Sequence, residues 1–287
     1  MMKGNMLIFA SLCGLLCWNH ADSMRIHFKS LPMEVNQRRD NIILKEVDQS
    51  SNIPLNMVEE SVDDMYFGCN ELMMRMVKSK YFEEKYVNKT FENAWNEAEK
   101  CAEERIARLE DEGLTKDHLR AICVYTYDEI YSVFNNAVRI KRNNYRSSFQ
   151  FHYLHFMLTS AVQILNNNNY CHTTYRRNSE RFTGQINHII RFGSFASSSY
   201  KPYLVRFGNE TCFKIKTCSG AFLKHYTFYN YEDEVEVLIP PYEMFNITEI
   251  VKDNSKIRDM GLTSCKVVYV LESAGFKSNL NCKVVNK

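Results

Sequence analysis

The sequence predicts an α+β domain: a helical N-terminal half packed on a mainly antiparallel β core and stapled by disulfides. Three observations carry that expectation. Apolar residues before about Leu165 recur at helical spacing, while after Tyr170 the chain turns to short β-branched and aromatic runs between polar turns. Helices first and strands later argue for α+β rather than an alternating doubly wound sheet. Eight cysteines lie beyond the first 22 residues, an even number suited to an exported, cross-linked chain. With 45% hydrophobic and 13% aromatic residues among 287, there is material for a large core.

The elements follow in chain order. Met1 to Asn5 carries Lys3, Met6 to Leu16 is almost wholly apolar, and small residues follow around Ala21. That order predicts a signal peptide over residues 1–22 and a secreted protein, since the apolar run is too short to span a membrane. Residues 23–55 are polar and mixed in charge, with Pro32 and Pro54, and read as an extension or propeptide. The catalytic domain is then expected over 56–287. Phe91, Ala94, Trp95, Ala98, Ala102, Ile106 and Leu109 form one helical stripe, stopped by Gly113. Thr115 with Asp117 opens a second helix running towards Arg139, and a third spans about Ser147 to Leu165, ended by asparagines 166–169. The basic run from Arg139 to Arg146 reads as a solvated helix end. Strands are expected at His172–Arg176, Phe192–Ser199, Thr211–Thr217, Glu234–Ile239, Cys265–Leu271 and Lys283–Val285.

Several function classes are disfavoured. A formal charge of +2 gives no electrostatic footprint for nucleic acid or an anionic membrane. No GxGxxG or Walker loop occurs, so a bound nucleotide would not sit on a Rossmann crossover. No CxxC pair or ligand-spaced histidine cluster suggests a metal. The C-terminus shows no lipid-anchor tail or retention sequence. Asn88, Asn209 and Asn246 begin sequons and are candidate glycosylation sites.

The chemistry concentrates in three places. Glu234 and Glu236, two apart on an expected strand, would project together, and neighbouring carboxylates raise one another's pKa. Taken alone, the segment reads more readily as a solvated edge strand. Arg176, after Tyr175, is suited to bidentate capture of phosphate, though a surface arginine is the plainer reading of it in isolation. Phe195 to Ser199 sets a hydroxyl cluster behind an aromatic residue.

In order, an Arg after Tyr, an aromatic-Ser-x-Ser strand and Glu-x-Glu running into VLIPPYE resemble the arginine-specific ecto-ADP-ribosyltransferases, the R-S-E branch of the cholera-toxin-like superfamily. The resemblance extends over SVDDMYFGC (Ser61–Cys69), AICVYTYDEIYSVFNNAVR (Ala121–Arg139), YRRNSERFTGQ (Tyr175–Gln185) and VLESAGFKSNLNC (Val270–Cys282). It implies the ADP-ribosyltransferase fold with two β-sheets, NAD⁺ as co-substrate with NADP⁺ as an alternative, no metal, and arginine-bearing acceptor proteins as partners. By the resemblance, Arg176 holds the NAD⁺ phosphates and ribose, and Ser197 positions the catalytic glutamate with Ser199 beside it. Glu236 matches that glutamate, Glu234 the residue associated with choosing arginine, and Phe207 an aromatic lining the nicotinamide pocket. Relatives often carry Gly where this chain has Arg177, whose backbone would then meet the nicotinamide amide. The resemblance also implies the disulfides Cys69–Cys282 and Cys171–Cys218, which leaves Cys101–Cys123 and Cys212–Cys265.

These residue types suit the reaction. The bond between nicotinamide and ribose breaks through an oxocarbenium-like transition state, against which a carboxylate such as Glu236 is useful. The nicotinamide leaves neutral and needs no acid. The acceptor guanidinium, with a pKa above about 12, needs a base, which Glu234 can supply. The competing readings are an NAD⁺ glycohydrolase using the same residues with water as acceptor, a glycoside hydrolase, which leaves Arg176 unexplained, and a catalytically silent secreted binding module.

Overall fold

The computed structural model of the chain describes residues 52–167, 170–229 and 234–285. The expected signal peptide and most of the expected extension lie outside these residues.

The helical half begins with α1 (Asn70–Ser79), α2 (Glu84–Val87) and α3 (Lys89–Ile106). The third starts where Asn88 caps it, its Oδ1 accepting from the amides of Thr90 and Phe91 at 2.8 and 3.3 Å. Its buried face is Phe91, Ala94, Trp95, Ala98 and Ala102, most of the stripe expected from the sequence; Ile106 is half-buried at the helix end and Leu109 lies exposed beyond it. The helix expected from Thr115 to Arg139 is two helices, α4 (Lys116–Tyr125) and α5 (Asp128–Ile140), broken at Thr126 and Tyr127. The Thr126 hydroxyl donates back to the Ile122 carbonyl at 2.8 Å and accepts from the Phe228 amide at 2.8 Å. No glycine or proline marks the break. The helix α6 (His152–Leu165) is buried nearly all round, as its apolar sequence requires.

The strands are β1 (Ile53–Pro54), β2 (His172–Asn178), β3 (Phe182–Thr183), β4 (Ile189–Ile190), β5 (Ala196–Ser199), β6 (Thr211–Thr217), β7 (Ala221–Phe222), β8 (Glu236–Ile239), β9 (Glu243–Val251) and β10 (Val267–Phe276). A short helix α7 (Asn254–Asp259) precedes β10. Eight strands run in the order β4-β9-β10-β6-β2-β5-β8-β7, antiparallel except for β10 beside β6. The five-stranded and three-stranded parts meet at one residue pair, Tyr175 with Ser199, so the β core behaves as two sheets hinged at that point. A parallel β1–β3 pair lies apart.

Three departures from the sequence expectation bear on function. The strand β8 starts at Glu236, because Val235 takes a positive φ of 42° and turns the chain; Glu234 sits in a turn. Lys283 to Val285 is a turn rather than a strand. Ile53 pairs with Phe182, so the folded body includes residues placed in the extension.

The largest apolar cluster packs the helices against β5, β7 and β8 through Phe134, Phe156, Phe195, Leu223 and Leu238. A second lies between the sheets, with Phe213, Ile215, Phe245 and Tyr269. Four disulfides, Cys69–Cys282, Cys101–Cys123, Cys171–Cys218 and Cys212–Cys265, match the implied pairing. Among the described residues no helix is long and apolar enough to cross a membrane.

Candidate active site

The sheet hinge assembles the site. At the end of β2, Arg176 is buried and its Nη1 donates to the Ser197 carbonyl across the hinge at 2.6 Å. Ser197 lies on β5, and its hydroxyl hydrogen-bonds the Glu236 carboxyl at the start of β8. Burial pushes Glu236 up from 4.5 to about 7, and the nearby Glu234 charge adds to the rise. The Ser197 hydrogen bond and the positive field of Arg176 oppose it. Arg176, Ser197 and Glu236, distant in sequence, thus act on one carboxyl group.

The remaining expected residues divide. Ser199 is buried and donates to the Glu234 carbonyl, while accepting from the Lys201 amide at 2.9 Å. Its work is to hold the turn that carries Glu234. The Glu234 carboxylate faces Arg206, Nη2 to Oε1 at 3.0 Å. Phe207 ends the 3₁₀ turn Val205–Phe207 and is half-buried, with the Arg206 guanidinium 4.8 Å from its ring centre. Arg177 is used differently from Arg176. Its guanidinium donates to the carbonyls of Pro202 at 2.7 Å and Thr263 at 3.2 Å and reaches Cys265 Sγ at 3.3 Å. That side chain ties β2 to neighbouring loops and leaves only backbone groups for a ligand.

A cleft opens on the other side of Arg176. Its lining includes Tyr131, Asn135 and Arg139 of α5, Ser194 ahead of β5, and Ile53 and Leu55 at the N-terminal edge. The three α5 residues are spaced by four, so one helix face looks into the cleft. Arg139 donates to the Ser194 hydroxyl at 2.8 Å. Burial, and then the neighbouring Arg176 charge, push its guanidinium below the ordinary range. Arg139 is therefore not part of a solvated basic helix end. Two guanidiniums sharing a cleft are unfavourable unless an anion joins them, and a diphosphate is well matched to both.

Sequence reasoning missed a relay behind the triad. Tyr125 is buried; its hydroxyl bonds Ser197, donates to the Phe195 carbonyl at 3.1 Å and accepts from Asn135 Nδ2 at 3.2 Å. Asn135 Oδ1 is buried beside the cleft with no hydrogen-bond partner among the described residues. The arrangement offers polar partners for a sugar and phosphates on one side and a charged carboxylate on the other.

Comparison with known proteins bears on the family and the fold. A family model described as NAD:arginine ADP-ribosyltransferase matches residues 55–266. The chain is 34% identical over 244 residues to an erythroblast NAD(P)(+)–arginine ADP-ribosyltransferase of Gallus gallus, covering 82% of this chain and 77% of that protein. It is 33% identical to ecto-ADP-ribosyltransferase 5 of Bos taurus, covering 70% and 68% of the two chains. Among solved structures, a variant of the eucaryotic mono-ADP-ribosyltransferase ART2.2 in complex with NADH superposes with a TM-score of 0.68 at 30% identity, covering 80% of this chain and 98% of that one.

Proposed function

The chain belongs to the NAD:arginine ADP-ribosyltransferase family, and on that premise we propose that it transfers ADP-ribose from NAD⁺ to arginine side chains of acceptor proteins, releasing nicotinamide. The single observation that carries this reading is the convergence of Arg176, Ser197 and Glu236 on one carboxyl beside a cleft lined by two guanidiniums.

Each residue has a part. Arg176 and Arg139 bind the diphosphate, and Asn135 Oδ1 accepts from a ligand hydroxyl or amine. Ser197 holds the Glu236 carboxyl at the ribose. As the bond from ribose C1′ to the nicotinamide nitrogen lengthens, its electron pair leaves with nicotinamide, and ionised Glu236 stabilises the positive charge on the sugar. The positive nicotinamide ring of the substrate, bonded to the ribose beside it, favours the ionised form of Glu236. A guanidinium nitrogen then bonds to C1′ and its proton passes to Glu234. Phe207 borders the nicotinamide side, and the Arg177 backbone, not its side chain, is left to meet the nicotinamide amide. NADP⁺ serves as an alternative donor.

The setting proposed is extracellular, with residues 1–22 removed as a signal peptide and an extension that gives way to the catalytic domain by Ile53, whose strand pairs with Phe182. Four disulfides, which persist in oxidising compartments, and an ecto-named relative support it. Asn209 is exposed and open to glycosylation. Asn88 uses Oδ1 as a helix cap and keeps Nδ2 for a glycan. Asn246 is the most enclosed of the three, mid-strand with Oδ1 buried.

The test is incubation with labelled NAD⁺ and agmatine, separating ADP-ribosyl-agmatine from free ADP-ribose. The wild type should form the conjugate, and Glu236→Gln should lose both products by at least about 100-fold, the order seen on removing one group that stabilises transition-state charge. Free ADP-ribose alone from the wild type would make this an NAD⁺ glycohydrolase.

A further inference from the structure

The acceptor side of the site already holds a guanidinium. Arg206 belongs to the exposed 3₁₀ turn Val205–Phe207, its Nη2 donates to Glu234 Oε1 at 3.0 Å, and its guanidinium packs 4.8 Å from the Phe207 ring centre. Glu234 is fixed to receive it: the Ser199 hydroxyl binds the Glu234 carbonyl, and the positive φ of Val235 aims Glu234 away from the line of β8. The group resting on Glu234 is chemically the group an arginine-bearing acceptor presents.

We propose that Arg206 is a resident competitor for the acceptor: an incoming arginine displaces it from Glu234, so Arg206 sets the acceptor affinity and the share of NAD⁺ lost to water. The inference rests on the transferase reading above. The exchange is one guanidinium for another on the same carboxylate, with no bond made or broken. Side-chain exposures of 37% for Arg206 and 24% for Glu234 keep the contact weak enough to open. The net strength of such half-exposed pairs limits the competition to about fivefold. The exposed side chains of Tyr203 and Val205 flank the turn, so an acceptor reaching Glu234 approaches over a rim that can yield with Arg206.

The experiment measures KM and kcat for agmatine, and the ratio of conjugate to free ADP-ribose, in the wild type, Arg206→Gln, Arg206→Lys, Glu234→Gln and the double variant Arg206→Gln with Glu234→Gln. Arg206→Gln should lower KM for agmatine about threefold, raise the conjugate share at low agmatine, and leave hydrolysis without agmatine unchanged. Arg206→Lys, which keeps the charge, should stay near the wild type. In the Glu234→Gln background the Arg206 substitution should be silent. An unchanged or raised KM in Arg206→Gln overturns the proposal while leaving the transferase reading intact. Conjugate from neither wild type nor Arg206→Gln overturns both, and conjugate from Arg206→Gln alone would show the competition to be stronger than inferred.

Discussion

Glu236 concentrates the electrostatics of the molecule on one proton. Its pKa lies near 7 in the fold against an ordinary 4.5, chiefly because burial disfavours the charge. Between those values the native state holds a proton that the unfolded chain has released, so stability falls as pH rises through that window. Glu236→Gln removes the ionisation while keeping the shape. The variant should match the wild type below about pH 4.5 and exceed it at pH 8, by about 1–3 kcal/mol, read from urea melts at the two pH values. Activity should run the other way: under the proposed mechanism, which uses the ionised form, kcat/KM for NAD⁺ in the wild type should rise with pH and reach half its maximum near 7. A variant that is inactive yet more stable at pH 8 would mark Glu236 as a functional charge held at a structural cost. Equal stability at pH 8 would argue against it. That Arg176, Ser197 and Glu236 would lie together was legible in the sequence because Arg, Ser and Glu-x-Glu are types with chemical reach in a fixed order. Tyr125, Asn135 and Arg139 were not. Polar residues at helical spacing look like a solvent face until the sheet that covers them is known.

At the scale of elements, the site depends on how short segments start and stop. Gly208 ends the turn carrying Arg206 and Phe207 with φ of 118°, and a β-carbon there would lie 2.3 Å from the Ser179 amide nitrogen and 2.4 Å from the Asn178 carbonyl carbon. Both neighbours are backbone at the end of β2, and neither can step aside. Gly208→Ala should cost about 2–3 kcal/mol through that clash and the unfavourable φ. It should also push the turn off Glu234, changing KM for agmatine by at least about as much as removing the ion pair. Denaturant melts and agmatine kinetics on one preparation check both, and an unperturbed Tm would show that the turn relaxes freely. The elements themselves were mostly readable: the α3 stripe, the buried α6 and the strands β2 and β6 follow from periodicity and from β-branched or aromatic content. What escaped was decided by tertiary partners. The break between α4 and α5 is fixed by the Phe228 amide on Thr126, 102 residues away. The strand β9 gains its pairing from β4 and β10 rather than from its own pattern. Glu243, at its start, is buried under donors from Thr217, Cys218, Ser219 and Ser273, a role that VLIPPYE as a string does not disclose.

At the scale of the whole molecule, the segment ahead of α1 is joined to the segment after β10. Cys69–Cys282 spans 213 residues, whereas Cys101–Cys123 spans 22 and joins neighbouring helices. Hydrogen bonds reinforce the long clasp. Asp63 accepts from the amides of Asn279 and Leu280 at 2.8 and 3.0 Å, and pairs with the fully buried side chain of Arg191 at 2.6 Å. Asp64 accepts from the Cys282 amide at 2.9 Å and the Tyr145 hydroxyl at 2.7 Å. The C-terminal segment is therefore held in place without the bridge, and the bridge acts mainly on the unfolded chain. Loop-closure entropy grows slowly with loop length, and the other three bridges shorten the path inside the long loop. Replacing Cys69 and Cys282 by alanine should accordingly cost only about 1–2 kcal/mol more than replacing Cys101 and Cys123, while conjugate formation at 25 °C stays near that of the wild type. Denaturant melts under non-reducing conditions compare the two. A smaller loss for the long clasp than for the short bridge would mean that native packing between α3 and α4, rather than chain entropy, sets the order. Loss of activity with the clasp would mean that Asp63 and Asp64 do not hold the C-terminal segment by themselves.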